Sequence, residues 1–308
     1  MIDYLKTLDL VSQKKINEFE LEQLIYGSIE IRNNKYIYVH AREDGIQVTK
    51  YIGEYSDALH NLILNNNLRA KELKKTLKQI DKELIDLNYV DKELPKNVGI
   101  NIDFAKKHLA DTIYKQAILE GITTTLSDTK KIIEDGIVNN MSSVDVMKII
   151  NLKHAWEFIL NKNIILSPTD FSILCTINKL IEEGFYYSAG KLRITPVKIG
   201  GTTWYPELPK ESNIKEDLNK IMNKKSSDIN KAIELLLYVV KKQMFLDGNK
   251  RTAVIFANHY LISMGKGLIV IPVKLVDEYK RLLIEYYESN DKTEITKFLK
   301  DHCYLPIK

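Results

Sequence analysis

Cysteine is nearly missing from this chain: Cys175 and Cys303 are the two in 308 residues, with no CxxC pair and no Cys/His cluster. Neither a disulfide framework nor a zinc site is indicated. No apolar run is long enough to span a bilayer, and the N-terminal stretch MIDYLKTLDLV is punctuated by charges instead of being built like a signal peptide. The expectation is a protein of a reducing cytoplasm with no membrane partner. Charge of one sign is also scarce. Forty-five Lys and Arg against 41 Asp and Glu leave +4, and no basic tail stands out, so composition by itself does not argue for nucleic acid. What is present is length: 308 residues can bury a sizeable core and predict two domains.

The first domain is predicted over residues 1–95 as a small α+β module. Lys14 to Tyr26 has the pattern of a short amphipathic helix. Gly27 to Gly53 then alternates apolar and polar residues and breaks at Asn33-Asn34 and at Asp44-Gly45, strong hairpin signals that predict a three-stranded meander. Arg32, Lys35, Tyr36, Tyr38, His40, Arg42, Lys50 and Tyr51 interleave cations with aromatics on it, which fits either a solvated sheet face or a nucleic-acid or regulatory-protein contact. Tyr55 to Leu87 carries Leu and Ile at roughly heptad spacing, the pattern of a long helix that is one arm of a helical hairpin or a coiled-coil homodimer contact. Pro95 and Gly99 mark the boundary.

The second domain, residues 100–305, is predicted mainly α. Asp103 to Gly136 reads as a helix ending near Glu120 and another capped by Thr125 or Ser127. Asn139 to Gly184 reads as two more, with Ser167 as an N-cap and Pro168 in the first turn. Between Ser188 and Pro209, Gly200 and Gly201 form a turn between β-like VKI and TTWY, a hairpin whose edge, with Thr202, can hold an extended target segment by strand addition.

The most informative string is QMFLDGNKR, Gln243 to Arg251, a loop between a helix over Ile229–Lys242 and one starting near Asn249. Exposed N–H groups and the dipole at a helix start favour a bound phosphate. Asp247 is a hard oxygen ligand suited to Mg²⁺. Gly248 lets the backbone approach a ligand, while Asn249, Lys250 and Arg251 supply donors and positive charge for phosphates. Phe245 reads as an apolar anchor. The plain alternative is a DG turn followed by a basic helix start.

The string resembles the active-site motif of the Fic/Doc (Fido) family, His-x-Phe-x-(Asp/Glu)-Gly-Asn-(Gly/Lys)-Arg. Asn258 seven residues after the Arg, the Gly265 that ends the following helix, and Glu278 to Leu299 with its tyrosines are similar to the family in order. So are the flap-like Ser188 to Pro209 and the segment LEGITTT from Leu119. The similarity runs from about Ala105 to Leu299. It implies a helical bundle with a β-hairpin flap that binds ATP or another nucleotide with Mg²⁺ and modifies a protein hydroxyl. Gln243, Asp247, Asn249 and Arg251 are then the catalytic positions, and Gly248, Asn249, Lys250, Arg251 and Asn258 hold the nucleotide.

Two departures qualify that implication. Gln243 stands where the family has the His that takes the hydroxyl proton, and an amide has no basic site near neutral pH, a loss worth ~10²–10⁴-fold in rate. His259 is eight residues past Arg251, and a buried or surface histidine is the expectation there. Lys250 replaces the Gly of AMP-transferring members, and Val254 replaces their second Arg, so the tail looks like the Doc branch, whose members transfer phosphate. Many relatives also carry an inhibitory Ser/Thr-x-x-x-Glu-Gly helix. Glu120-Gly121 fits its end, with Gln116 at the Ser/Thr position, but the usual Arg partner is Val254 here, so Glu120 caps or pairs elsewhere, Arg251 included, and is either regulatory or a plain helix end. The resemblance thus leaves two readings: a transferase of altered activity, or an inactive nucleotide- or partner-binding regulator within a toxin–antitoxin or phage-defence pair.

Overall fold

The computed structural model describes residues 3–43, 46–136 and 141–307. The chain divides into two compact units, Ile2–Val90 and Asp91–Lys308.

In the first unit, α1 (Tyr4–Gln23) is capped by Asp3, whose carboxylate accepts from the Lys6 amide at 3.0 Å. It begins ten residues before the amphipathic pattern predicts, because Tyr4, Thr7, Leu10 and Val11 are its buried face. Then β1 (Ser28–Arg32), β2 (Tyr36–Glu43) and β3 (Ile46–Glu54) form an antiparallel sheet in that order. Asn33 and Asn34 both take positive φ, 54° and 53°, and the Lys35 amide donates to the Arg32 carbonyl at 3.0 Å. That is the backbone twist a tight hairpin demands, and Asn tolerates it better than a branched residue. The second expected turn, Asp44-Gly45, and the Arg42 side chain lie outside the described residues.

The long helix, α2 (Asp57–Asp86), starts at Ser56, whose hydroxyl accepts from the Leu59 amide. Ile63 meets Ile37 and Val39 of the sheet, with Ile29, Ile52 and Leu59 around them. Farther along, Ile80 and Leu84 pack on Leu10 and Val11. Each such fully buried aliphatic stabilises by about 1.5–3 kcal/mol. Ion pairs Lys6–Glu83 (2.9 Å), Lys14–Asp81 (2.7 Å) and Glu20–Arg69 (2.6 Å) run in opposite chain order, so α1 and α2 are antiparallel. The leucine spacing of α2 therefore serves an intrachain helical pair. On the sheet's other face, Arg32 binds Glu30 through two nitrogens at 3.0 Å, and Lys35 lies 3.6 Å from Glu54. Those cations already face carboxylates.

The second unit begins with α3 (Lys96–Lys107) and α4 (Leu109–Leu119), two helices meeting at His108 where the sequence predicts one. After them come α5 (Leu126–Asp135), capped by Thr125, and α6 (Ser143–Leu160). The short α7 (Lys162–Ile165) precedes α8 (Phe171–Ile181). Asp170, not Ser167, caps α8: its carboxylate accepts from the Ile173 amide at 2.9 Å, while Ser167 donates back to Asn163. An ionised cap at the positive helix end is the stronger one. The chain continues as α9 (Glu211–Asn223), α10 (Asp228–Lys242) and α11 (Asn249–Ser263). It closes with β4 (Leu268–Ile269), α12 (Val276–Ser289), α13 (Thr293–Phe298) and β5 (Tyr304–Leu305), which pairs with β4.

Every residue of α11 from Arg251 to Ile262 is buried. A helix buried on all sides is the centre of its bundle, and α6, α8 and α10 pack around this one. The loop joining α10 to α11 therefore sits at the end of the most constrained pair of helices in the molecule. The segment between Lys191 and Lys210 is not the expected hairpin. A turn at Gly200 and Gly201 reverses the chain, and no residue of the segment is in a strand. The fold is mainly helical, with the three-stranded sheet confined to the N-terminal unit.

Candidate active site

The loop is set by two residues in left-handed conformation. Gln243 ends α10 at φ 46°, and Gly248 precedes α11 at φ 74°. Met244 and Phe245, 0% and 1% exposed, pin the loop into the bundle. Asn249 clips it shut: its side-chain amide donates to the Phe245 carbonyl at 2.8 Å, and its Oδ1 accepts from the Phe245 amide at 3.0 Å. The Asn249 side chain therefore builds the loop over which the cavity opens.

Gly248 is required by a close approach within the protein. A Cβ there would lie 2.4 Å from Oε1 of Glu182, at the C-terminal end of α8. Glu182 is 3% exposed, and Arg251 Nη2 stands 2.9 Å from that oxygen, close enough for an ion pair but poorly angled for a hydrogen bond. Burial pushes the Glu182 carboxyl up to about 7; Arg251 opposes the shift, and the charges of Asp247 and Glu120 add to it. Sequence reasoning missed this residue. The available signal was an acid at a helix C-terminus, where the dipole disfavours it.

Arg251 is also 3% exposed and lies among three carboxylates. Glu120 Oε2 is 3.6 Å from its Nε, and Asp247 Oδ1 is 3.5 Å from Nη2. Its Nε and Nη1 nevertheless have no hydrogen-bond partner. Leaving a buried donor unpaired costs about 1–3 kcal/mol, and Oε1 of Glu120 and of Glu182 beside it are unpaired as well, so the guanidinium sits among carboxylates that pair with its charge without bonding its Nε and Nη1 hydrogens. Glu120 also lies 3.8 Å from Lys250 Nζ. Glu120 is both the C-cap residue of α4 and a charge partner of Arg251. Val254 is 2% exposed and in the core. Gln116 joins α4 to α11, its Nε2 donating to the Arg251 carbonyl at 2.9 Å and its Oε1 accepting from Trp156 Nε1 at 3.0 Å.

A cavity of 370 Å³ opens over the loop, lined by Glu120, Gln243, Asp247, Asn249 and Lys250, by Val197 to Gly200 of the flap, and by Lys280, Leu283, Ile284 and Tyr287 of α12. That is the size of a small-molecule site. Gln243 donates to the Val240 carbonyl at 2.8 Å, so its amide lines the cavity already bonded to its own helix. The Asp247 side chain is 50% exposed; its Oδ1 accepts from the Gly248 amide at 2.6 Å. Among the described residues no cluster of three His, Cys, Asp or Glu could hold a metal, so a cation here would rest on Asp247 and on ligand oxygens. Mg²⁺ bound to phosphates uses just such a sparse protein set.

The flap is held by ties that its sequence did not announce. Arg193 Nε donates to the Gln243 carbonyl at 2.6 Å, and its Nη2 donates to the carbonyls of Pro206 and Glu207. Thr202 and Thr203 both donate to Glu288 of α12, and Trp204 stacks on Tyr287 at 5.6 Å. These ties fix the flap beside the cavity, with no residue of it in a strand.

One expected site residue is elsewhere, and His259 is buried as expected. Asn258 is fully buried and binds backbone: it donates to the Val254 and Ile269 carbonyls and accepts from the Ile269 amide at 2.8 Å. It anchors β4 and does not reach the cavity as a nucleotide ligand. His259 is equally buried, between Thr169 Oγ1 and the Ile164 carbonyl, each at 2.9 Å.

Among the described residues no helix is long and apolar enough to cross a membrane. Residues 168–261, which span α8 to most of α11, match the family model of the Fic/DOC family. No curated protein matches the chain. Solved structures share the fold. Fic-1 from C. elegans superposes with TM-score 0.56 at 19% identity over 78% of this chain and 74% of that one. A Fic domain containing signaling protein from Bacteroides thetaiotaomicron VPI-5482 gives 0.53 at 19%, over 66% and 79%. A Fic family protein from Desulfovibrio desulfuricans G20 gives 0.52 at 16%, over 68% and 72%. With the motif loop, its buried arginine and the cavity at the end of the central helix, the match over residues 168–261 and the shared fold make the second unit similar to Fic/DOC domains.

Proposed function

We propose that this chain binds a nucleotide with Mg²⁺ at the α10–α11 loop and transfers AMP or phosphate from it to a hydroxyl of a target protein, at a rate limited by Gln243. The observation that carries this reading is Arg251: a guanidinium buried at a helix start, with two unpaired donors, directly behind the cavity wall formed by Glu120 and Asp247. Lys250 and the α11 N-terminus add to the same positive site. Mg²⁺ at Asp247 would neutralise phosphate charge. The target hydroxyl oxygen forms a bond to phosphorus as the bond to pyrophosphate or ADP breaks, and the hydroxyl proton must leave. Gln243 can orient that hydroxyl but cannot take its proton.

Glu120 occupies the cavity side of Arg251, so phosphate binding requires its carboxylate to move away. That supports a regulatory role for Glu120, with Gln116 fixing the end of α4 against α11. The second reading, a catalytically silent nucleotide- or partner-binding regulator in a toxin–antitoxin or phage-defence pair, is favoured by one observation: the Gln243 amide already donates to the Val240 carbonyl.

Calorimetric titration with ATP, with and without Mg²⁺, tests the binding. Asp247→Ala should abolish the Mg²⁺ dependence and Arg251→Ala should weaken ATP at least tenfold. Gln243→His then separates the readings. A rise in labelled product supports a latent transferase, and no gain with any nucleotide leaves the regulator.

A further inference from the structure

Arg251 is held between two carboxylates of different character. Glu120 lines the cavity and contacts the guanidinium loosely, at 3.6 Å from Nε. Glu182 is 3% exposed, does not line the cavity, and stands 2.9 Å from Nη2. It lies so close to the loop that residue 248 can carry no Cβ without meeting it at 2.4 Å. Asn178, one turn earlier on α8, fastens the same region: its Nδ2 donates to the Asp247 carbonyl at 3.0 Å and to Thr252 Oγ1 at 3.2 Å, while its Oδ1 accepts from the Gly190 amide. The end of α8 is thus a rigid seat under the guanidinium. Among the described residues Nε and Nη1, both without a hydrogen bond, are the donors left over.

We propose that Glu182 is the positioning residue of the anion site: it fixes Arg251 from the interior through Nη2, so that an incoming phosphate displaces Glu120 from the guanidinium and leaves Glu182 in place. The inference rests on the reading that the cavity takes a phosphate ligand. Its consequence is specific. A long arginine side chain freed from its interior partner has many rotamers, and ordering it would fall on the ligand. Removing only the charge of Glu182 gives up the ion pair and takes away one repulsion of the phosphate, but Gln keeps the length of the side chain and an oxygen that can turn to accept from Nη2, so the seat is kept.

The test uses the full chain with ATP, inorganic tripolyphosphate and adenosine as probes, in the natural sequence and in Glu120→Ala. Glu182→Gln should bind ATP and tripolyphosphate at least as tightly as its parent. Glu182→Leu should weaken both at least tenfold while leaving adenosine unchanged, with the thermal midpoint of each variant recorded to show that it is folded. If Glu182→Leu does not fold, Glu182→Met, which is closer in length, takes its place. Equal phosphate affinity in the amide and apolar variants would overturn the positioning role, whichever way both moved. A loss shared with adenosine would mean a structural role only, and overturns it too. Failure of every phosphate probe to bind in both parents would instead sink the phosphate reading itself, and this inference with it.

Discussion

Lowering the pH should expose the buried imidazole of His259. A carbonyl can only accept, so Nε2 carries the hydrogen toward Ile164, and the neutral ring accepts from Thr169 at Nδ1. Protonating Nδ1 would add a buried charge and reverse that second bond. Burial accordingly takes the folded pKa from 6.5 down to about 4, against a smaller opposing effect of the bond to Ile164. Above the unfolded value both states are neutral and the contribution is constant. Below it the unfolded chain binds a proton that the folded chain refuses, so stability falls as pH drops from about 6.5 toward 4, by about 3 kcal/mol in all and ~2 kcal/mol at pH 5. Urea unfolding at pH 7.5 and pH 5, on the natural chain and on His259→Gln, isolates this term, since the other titrating groups are common to both. The natural chain should lose about 2 kcal/mol more than the variant between the two pH values. An identical pH dependence would show that the imidazole is not buried neutral.

Further outcomes follow from the same contacts. Asn258→Ala leaves both the amide and the carbonyl of Ile269 unpaired in the core and should destabilise by about 2–4 kcal/mol in urea unfolding, with no selective effect on ATP binding. Gly248→Ala should cost about 1–3 kcal/mol from its φ of 74° and the Glu182 contact. Made in Glu182→Ala, the same change should cost less, a non-additivity that a double-mutant cycle reads directly. Glu120→Ala should tighten ATP about tenfold and leave adenosine alone, as calorimetry would show; an unchanged ratio would remove Glu120 from the phosphate's path.

What the chain settles by itself is local. The sheet in the first unit is set by alternation and by Asn33-Asn34, because few residues accept positive φ. The α10–α11 loop is set by a helical pattern on each side and by Gly248. Phe245 was legible as an anchor because an aromatic residue in a polar loop has to be buried. Tertiary structure decided the partners. Asn249, Gly248 and Asn258 look like ligand residues in the sequence, yet two of them close the loop or anchor a strand, and the glycine makes room for Glu182. Spacing cannot show this, since their partners are contributed by other elements: Glu182 by α8 and Ile269 by β4. The flap failed as a hairpin for a similar reason. Its β-prone residues found the carboxylate of Glu288, the ring of Tyr287 and the backbone bonds of Arg193 more favourable than one another. The pairing of Arg251 with Glu120 on the cavity side and Glu182 beneath exists only once three helices meet. Charge neutralisation between distant segments is a property of the packed molecule, and no local pattern encodes it.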